Sequence, residues 1–502
     1  MNYTLSDEQE QILSHFVRGK NLFITGPGGV GKSFIIKKLV ELGSNITKLN
    51  GKKKKVQVCA TTGTAATLLQ CNATTINSWG RIKLASGDIE KLSDEIAKDN
   101  KRKWSWIKTD ILIVDEVSMM SKKVFELLNL IGQKCRCNEK MFGGLQVVFL
   151  ADFYQLPPVG NYNEVDTQKF CFESPVFKTT FPPENCFELT KIYRQKDKVY
   201  SNICNEVRIG QLTEESKQIL NGRVGLNIKE NCGDVIPTIL FSRRQDVMNT
   251  NRRELFKLKG EEKLFLSKNV SIIENETKMQ KLYKKKQFTL TKQMKEYEWA
   301  NLRKGFNGDG VLKLKKGAQV MCIANLDLNG DKPICNGSRG IVIAFEDNNP
   351  VVKFNNGVER VMTPYIWESE KYPVLGISQI PLILAWAITI HKSQGASIDL
   401  AQMSLGDNIF APGQIYVALS RIRSLEGLYL TNFNHSKIKI NEKVKKFYES
   451  IKASSSSTTL KGKPKRVVPK GVVNEDAWVT TDDGQFLKYT ATDGTIGYVS
   501  YA

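Results

Sequence analysis

The sequence predicts an α/β chain in which parallel sheets carry a smaller antiparallel β insertion, on two observations. From the start to about residue 190, short β-branched runs alternate with helical patterns. The runs are apolar almost throughout, as strands are when helices cover both faces of a parallel sheet. Between about residues 255 and 375 this gives way to short strands set apart by Asn-Gly, Asn-Asn-Pro and Asn-Asn-Gly, the turn signals of antiparallel hairpins and of a small barrel.

Taken in order, the strands of the first part are Leu22–Thr25, Val56–Ala60, Ile111–Asp115 and Gln146–Asp152, with helical spacing over Phe34–Leu42 and Val124–Ile131. Arg81–Lys108, of mixed charge and carrying Trp104 and Trp106, interrupts the alternation and reads as an insertion. A second set opens with Cys186–Leu189 and Thr238–Phe241 and breaks off. The β insertion follows, with strands in Val311–Ala324, Gly340–Phe345 and Pro350–Phe354. The parallel pattern resumes at Leu382–Ile390 and ends near Ile451. The domain plan is therefore 1–185; a discontinuous second domain of 186–254 and 376–451; an inserted domain of 255–375; a flexible basic linker of 452–470 around Ser454–Ser457 and Lys461–Arg466; and a small β-rich tail, 471–502, of one or two hairpins.

Composition narrows the function classes. The chain has 502 residues, 41% hydrophobic and 25% charged, values of a globular chain rather than a fibrous or disordered one. Lys plus Arg number 73 against 52 for Asp plus Glu, a net +21 that favours a polyanionic partner. No apolar run approaches the roughly 20 residues of a membrane span, so that partner is expected to be nucleic acid. The polar, acidic start is neither a signal peptide nor a transit sequence, which predicts an intracellular protein, nuclear or cytoplasmic. The ten cysteines are scattered. The one close pair, Cys135-Arg-Cys137, lacks zinc-knuckle spacing, so they read as packed, reduced thiols.

Chemistry concentrates in three segments. Gly26-Pro-Gly28-Gly29-Val-Gly31-Lys32-Ser33 sits between a strand and a helix, the context of a phosphate-binding loop. Its glycines let backbone N–H groups face phosphates, Lys32 reaches the β- and γ-phosphates, and Ser33 offers a hydroxyl to Mg²⁺. Ile111–Glu116 brings Asp115 to the metal shell and Glu116 to the attacking water. In Phe149–Val159, Gln155 lies just past a strand end, where it can sense a γ-phosphate; a rigid turn after a strand would look the same. For nucleic acid the candidates are Thr62, Gly63 and Thr64 after a strand, Asn77 and Trp79, and His391, Lys392 and Ser393. Trp79 can stack a base or pack in a core.

Together these segments resemble the Pif-type (petite integration frequency) DNA helicases of superfamily one, subgroup B, over roughly residues 5–450. The likeness runs through Leu5–Gln9, Phe142–Gln146, Asp152–Val159, Thr238–Arg243 with Asn251, Asn336–Gly340, Ala387–Gly395 and Tyr416–Arg421. Ala151, Asn77 and Gly132 depart from the family pattern. The resemblance implies two RecA-like domains, a wedge at about 81–108, an SH3-like barrel in the insertion, and ATP with Mg²⁺ as cofactors. It also implies Gln9 as adenine reader and Arg194 and Arg421 as catalytic arginines; spacing alone leaves both arginines as ordinary surface candidates. The implied activity is ATP-driven 5′-to-3′ movement on single-stranded DNA and unwinding at DNA junctions, by a protein monomeric in the free state. The alternative is an ATP-driven remodelling factor that binds nucleic acid without separating strands. The family leaves 455–502 unexplained, and a protein partner for that tail is one expectation.

Overall fold

The computed structural model describes residues 5–500 except 49, 70, 72, 83–84, 195–196, 229–236, 273–289, 307, 325, 327–333, 335–336, 370–371, 396, 459–471, 482–483 and 492–495. The chain forms two compact units, Met1–Val235 with Ile390–Ala502, and Ile236–Thr389. This division runs through the second domain expected from sequence.

In the first unit, α1 (Asp7–Val17) begins with a capping box in which the Ser6 hydroxyl accepts from the Gln9 backbone N–H and the Gln9 side chain accepts from Ser6 N–H. The strands are β1 (Leu22–Thr25), β2 (Val56–Ala60), β3 (Thr74–Thr75), β4 (Ile111–Asp115), β5 (Gln146–Ala151) and β6 (Cys186–Glu188). They lie in the order β3-β2-β4-β5-β1-β6, with every neighbouring pair parallel. Side chains alternate faces along each strand, so the sheet fills two cores. Phe23, Leu112, Val114, Val147 and Phe149 enter one; Leu22, Ile24, Ile111, Ile113, Val148 and Leu150 enter the other.

Cys186–Glu188, expected to open the second domain, is instead the edge strand of this first sheet, with Phe23 opposite Cys186. The reason is local: beyond β6, the Leu189 N–H donates to the Thr25 carbonyl and its side chain is buried beside Ile24.

Helices flank the sheet: α2 (Lys32–Asn45), α3 (Gly63–Leu68), α4 (Ile76–Gly80), α5 (Ile89–Lys98), α6 (Trp104–Lys108), α7 (Lys122–Arg136) and α8 (Lys198–Ile209). The expected insertion at 81–108 holds α5 and α6. Lys134 on α7 joins it through ion pairs to Glu90 at 2.6 Å and Asp94 at 2.8 Å. Gly132 has a packing role: a Cβ there would collide with the Phe142 backbone.

The second unit holds β7 (Thr238–Phe241), α9 (Arg244–Lys257), β8 (Lys263–Leu266), β9 (Lys268–Ser271), α10 (Lys292–Gly305), β10 (Val311–Leu314), β11 (Gln319–Cys322), β12 (Arg339–Glu346), β13 (Asn349–Phe354), β14 (Glu359–Val361), β15 (Tyr365–Glu368), β16 (Leu375–Gln379), β17 (Leu382–Leu384) and β18 (Ala387–Thr389). The insertion is antiparallel, as its turns predict, with a five-stranded sheet in the order β14-β13-β12-β11-β17. Two apolar runs divide where one strand each was expected. Val311–Ala324 becomes β10, paired with β8, and β11, paired with β12 and β17. Leu382–Ile390 becomes β17, antiparallel to β11, and β18, parallel to β7. Asn251 holds that second break. Its side chain donates to the carbonyls of Leu384 at 3.2 Å and Ala387 at 3.1 Å, and accepts from Ala387 N–H at 2.9 Å.

The first unit resumes with parallel strands β19 (Ala401–Leu405) and β20 (Leu428–Phe433), and helices α11 (Gln414–Ser420) and α12 (Glu442–Thr458). The serine run expected as linker is the last turn of α12. Buried Val444, Tyr448 and Ile451 anchor that helix, and serine costs a helix only tenths of a kcal/mol. Most of the expected linker, 459–470, lies outside the described residues. Beyond it β21 (Val472–Thr481), β22 (Gly484–Ala491) and β23 (Ile496–Ser500) form an antiparallel meander. Among the described residues no helix is long and apolar enough to cross a membrane.

Candidate nucleotide and nucleic-acid sites

The loop between β1 and α2 is shaped by its glycines. A Cβ on Gly26 would collide with the Leu189 carbonyl, and Gly31, with φ +86°, caps α2 in the left-handed region. The loop and the N-terminus of α2 line a cleft of about 300 Å³. Around it stand Gly28, Gly29, Gly31, Lys32, Ser33, Asp115, Glu116, Gln155, Arg194 and Arg421, together with Tyr193 and Gly395. Residues up to almost 400 positions apart meet at one hollow, all within the first unit.

Each side chain is positioned by its neighbours. The Lys32 ammonium donates to the Gly26 carbonyl at 2.7 Å and the Pro27 carbonyl at 2.9 Å. Burial lowers its pKa, while Asp152, Glu116 and Asp115 draw it back up. Asp115, at the end of a fully buried strand, accepts from the Glu116 N–H at 2.8 Å. Burial, then the charge of Glu116, raises its pKa well above the carboxylate range. Glu116 takes φ +56° and accepts a hydrogen bond from Gln394 Nε2 at 2.9 Å. Gln155 is buried, and its Oε1 has no hydrogen-bond partner among the described residues. Arg194 donates to the Ser420 carbonyl at 3.1 Å, and burial followed by the charge of Arg421 lowers its pKa to about 10. Arg421, 2% exposed, donates to the Val417 carbonyl at 3.0 Å and the Ser420 hydroxyl at 2.9 Å. Burial lowers its pKa also, against the pull of Glu116. Three cations whose charged forms are all disfavoured by burial make a cleft suited to a polyanion.

Gln9 and Gly26 are outside the cleft lining. The Gln9 carbonyl oxygen is held by the capping box, while its Nε2 would lie 3.8 Å from a Cβ on Gly31, beside the loop.

The nucleic-acid candidates divide. Thr62 caps α3 through the Ala65 N–H at 3.2 Å, with Gly63 opening that helix; the Thr64 side chain lies outside those described. Asn77, with Thr61, lines a second cavity of about 320 Å³ whose lining also includes Pro158, Asn161 and the ion-paired Lys123 and Glu164. His391 and Lys392 are half-buried.

Two assignments need correction. Ser393 is fully buried and its hydroxyl donates to the Ile390 carbonyl at 2.8 Å, so it faces no phosphate. Trp79 is a core residue, 7% exposed, with its ring 4.5 Å from that of Trp106. Trp106 is fully buried and donates from Nε1 to the Gly80 carbonyl at 3.3 Å. Trp106→Ala should destabilise the fold by about 3–5 kcal/mol, read from the denaturant midpoint.

Sequence reasoning missed Gln394, Tyr416 as an individual contact, Arg208 and Tyr448. Asp152 receives the Tyr416 hydroxyl at 2.7 Å and Arg208 Nε at 3.1 Å. Gln394 and Tyr416 lie inside segments that resemble the family, but their partners do not show in the sequence, since each lies far away in the chain.

Residues 4–228 match the PIF1-like helicase family, and residues 305–345 match the 2B domain of DNA helicase Pif1. The crystal structure of Pif1 helicase from Candida albicans is 32% identical and superposes with a TM-score of 0.73, covering 90% of this chain and all of that one. The chain belongs to the PIF1-like helicase family. The family's RecA-like α/β architecture matches the parallel sheets described above, and the 2B-domain match falls on the antiparallel insertion. ATP-dependent DNA helicase PIF1 of Xenopus laevis is 33% identical over 454 residues, covering 89% of this chain and 64% of its own length. The chain thus spans just under two thirds of that relative's length. Pif1 helicase from Bacteroides, crystallised in complex with ADP-AlF3 and ssDNA, is 26% identical with a TM-score of 0.66, covering 90% of this chain and 98% of that one. In this chain the phosphate loop, the Asp115–Glu116 pair and both arginines line the one cleft.

Proposed function

We propose that this chain is an ATP-dependent DNA helicase that moves 5′-to-3′ along single-stranded DNA and separates duplexes at junctions. The observation that carries the reading is the convergence of the phosphate loop, Asp115, Glu116, Gln155, Arg194 and Arg421 on one cleft. The relatives named ATP-dependent DNA helicase, and the Bacteroides complex with ADP-AlF3 and ssDNA, support it.

The donor set fits a nucleoside triphosphate with Mg²⁺. Loop N–H groups and Lys32 would hold the phosphates, and Gln9, beside the loop, would read the base. Bound Mg²⁺, held by Ser33 and Asp115, would neutralise charge on the β- and γ-phosphates. Glu116 takes the proton of the attacking water. Arg194 and Arg421 stabilise charge on the transferring phosphoryl group, and Gln155 reports its loss. When the shared phosphate leaves, contacts on both sides of the cleft are released, so affinity for the strand changes with nucleotide state. A nucleotide can drive movement only through such differential affinity. Thr62, Gly63, Asn77, His391 and Lys392 remain the DNA contacts on this reading, and counterion release makes their grip salt-dependent. The domain plan carries over with β6 moved into the first RecA-like domain. The protein acts as a monomer in the free state, in nucleus or cytoplasm, with a protein partner at the tail.

The deciding experiment is strand separation on duplexes with a 5′ or a 3′ single-stranded tail. Unwinding from the 5′ tail alone, with ATP, is expected; DNA-stimulated hydrolysis without separation on either substrate would instead favour remodelling. Lys32→Ala should lower kcat/KM for ATP about 10- to 100-fold, the value of a charge-assisted contact. Undiminished hydrolysis in that variant would remove the site assignment.

A further inference from the structure

Helix α11 is buried along its whole length and ends at Arg421, one of the two cleft arginines. Five residues earlier, Tyr416 points its hydroxyl to the phosphate loop. The Gly28 N–H donates to that oxygen at 2.9 Å, and the hydroxyl donates to Asp152 Oδ2 at 2.7 Å. A phenol has one proton to give, so the geometry fixes both directions. Asp152 is fully buried, and its other oxygen accepts from Arg208 Nε at 3.1 Å. The Arg208 guanidinium lies 4.8 Å from the Tyr154 ring centre and 5.3 Å from that of Tyr448. Tyr448 in turn accepts from the Phe153 N–H at 3.0 Å and shares a proton with the Thr25 hydroxyl at 2.6 Å. The nucleotide chemistry uses neither Tyr416 nor Arg208.

We propose that Tyr416 is a positioning residue whose hydroxyl ties the helix carrying Arg421 to the phosphate loop, with Asp152 and Arg208 fixing the direction of that hydroxyl. The inference rests on the proposed ATPase reading. Other polar contacts reach the same helix end, from Arg194 to the Ser420 carbonyl at 3.1 Å and from the Tyr200 hydroxyl to the Leu419 carbonyl at 2.8 Å, but the Tyr416 hydroxyl is the group of α11 that takes a phosphate-loop N–H directly. A displacement of about 1 Å at a reacting centre can cost on the order of 10²-fold in rate. Tyr416 acts through Arg421, so its loss should appear in turnover rather than in nucleotide affinity.

The test is Tyr416→Phe in the full chain, which keeps the buried ring and removes one oxygen. DNA-stimulated kcat should fall about 10- to 100-fold, with KM for ATP and the melting temperature little changed. Single-turnover hydrolysis in an Arg421→Ala background should show less than a twofold further effect, since the tie then has nothing to position. If Tyr416→Phe does not fold, Asp152→Asn takes its place, read by kcat against KM for ATP alone, since it also removes the carboxylate beside buried Arg208. A kcat within twofold of the parent, or a full additional loss in the Arg421→Ala background, overturns the inference. A parent chain that hydrolyses no ATP would overturn the function reading instead, which keeps the two failures distinct.

Discussion

Arg421→Ala should lower ATP turnover by about 10³–10⁵-fold, the range for an arginine that stabilises a transferring phosphoryl group, while nucleotide affinity changes only a few-fold. The expectation follows from where the side chain is held. Arg421 is almost fully buried, and its guanidinium is fixed by the Val417 carbonyl and the Ser420 hydroxyl, with no carboxylate among the described residues in hydrogen-bond contact. Arg194 donates to the carbonyl of that same Ser420, so the two cations share one short helix end. Each loses stability of its charged form through burial, and Arg194 loses more through Arg421. An anion with charge spread over several oxygens relieves both at once, and does so most where that charge is greatest. Arg421→Lys tests the geometry separately. A lysine keeps the charge but presents no planar fork, so it should restore only a minor part of the rate. Pre-steady-state hydrolysis and binding of a fluorescent nucleotide measure the two quantities independently. A loss confined to affinity would place Arg421 outside the transition state.

What could be read from the sequence depended on whether the signal was local. β1, β2 and β4 occupy the residues their apolar runs predict, because a strand buried on both faces declares itself within four or five residues. The phosphate loop is equally self-contained, since glycines, lysine and hydroxyl lie on adjacent positions. Local pattern also misled, for physical reasons. Leu382–Ile390 reads as one strand, yet an asparagine more than a hundred residues earlier holds its break open. The serine run reads as linker, yet an anchored helix continues through it. Trp79 could have served either role, and only its proximity to Trp106 decides for the core. The polar network was illegible altogether. Tyr416 and Asp152 are 264 residues apart, Gln394 and Glu116 are 278 apart, and no spacing rule connects them.

That second contact bears on the other large expected effect, a fall of about 10²–10⁴-fold in kcat for Glu116→Gln, the range for removal of a general base. Glu116 holds a left-handed backbone, φ +56°, which costs a non-glycine residue about 1–3 kcal/mol unless its surroundings impose it. They do: the Thr61 hydroxyl donates to the Glu116 carbonyl at 2.8 Å, and the Asp115 carboxylate takes its N–H. The kink turns the side chain into the cleft beside Asp115 rather than away along the strand. There Gln394 donates to Oε2 at 2.9 Å, which orients the carboxylate. Glutamine keeps the shape and can still accept from Gln394 through its carbonyl, so the fold should be untouched while the proton acceptor is lost. Removing the Glu116 charge also removes the second largest cause of the raised Asp115 pKa, so that pKa should fall toward the ordinary carboxylate value. The variant should therefore bind nucleotide at least as tightly as the parent and fail at hydrolysis, remaining bound to single-stranded DNA in its triphosphate state. Single-turnover hydrolysis with a filter-binding assay on the same samples separates these outcomes. A Glu116→Gln chain that turns over at the parent rate would show that the base is another group.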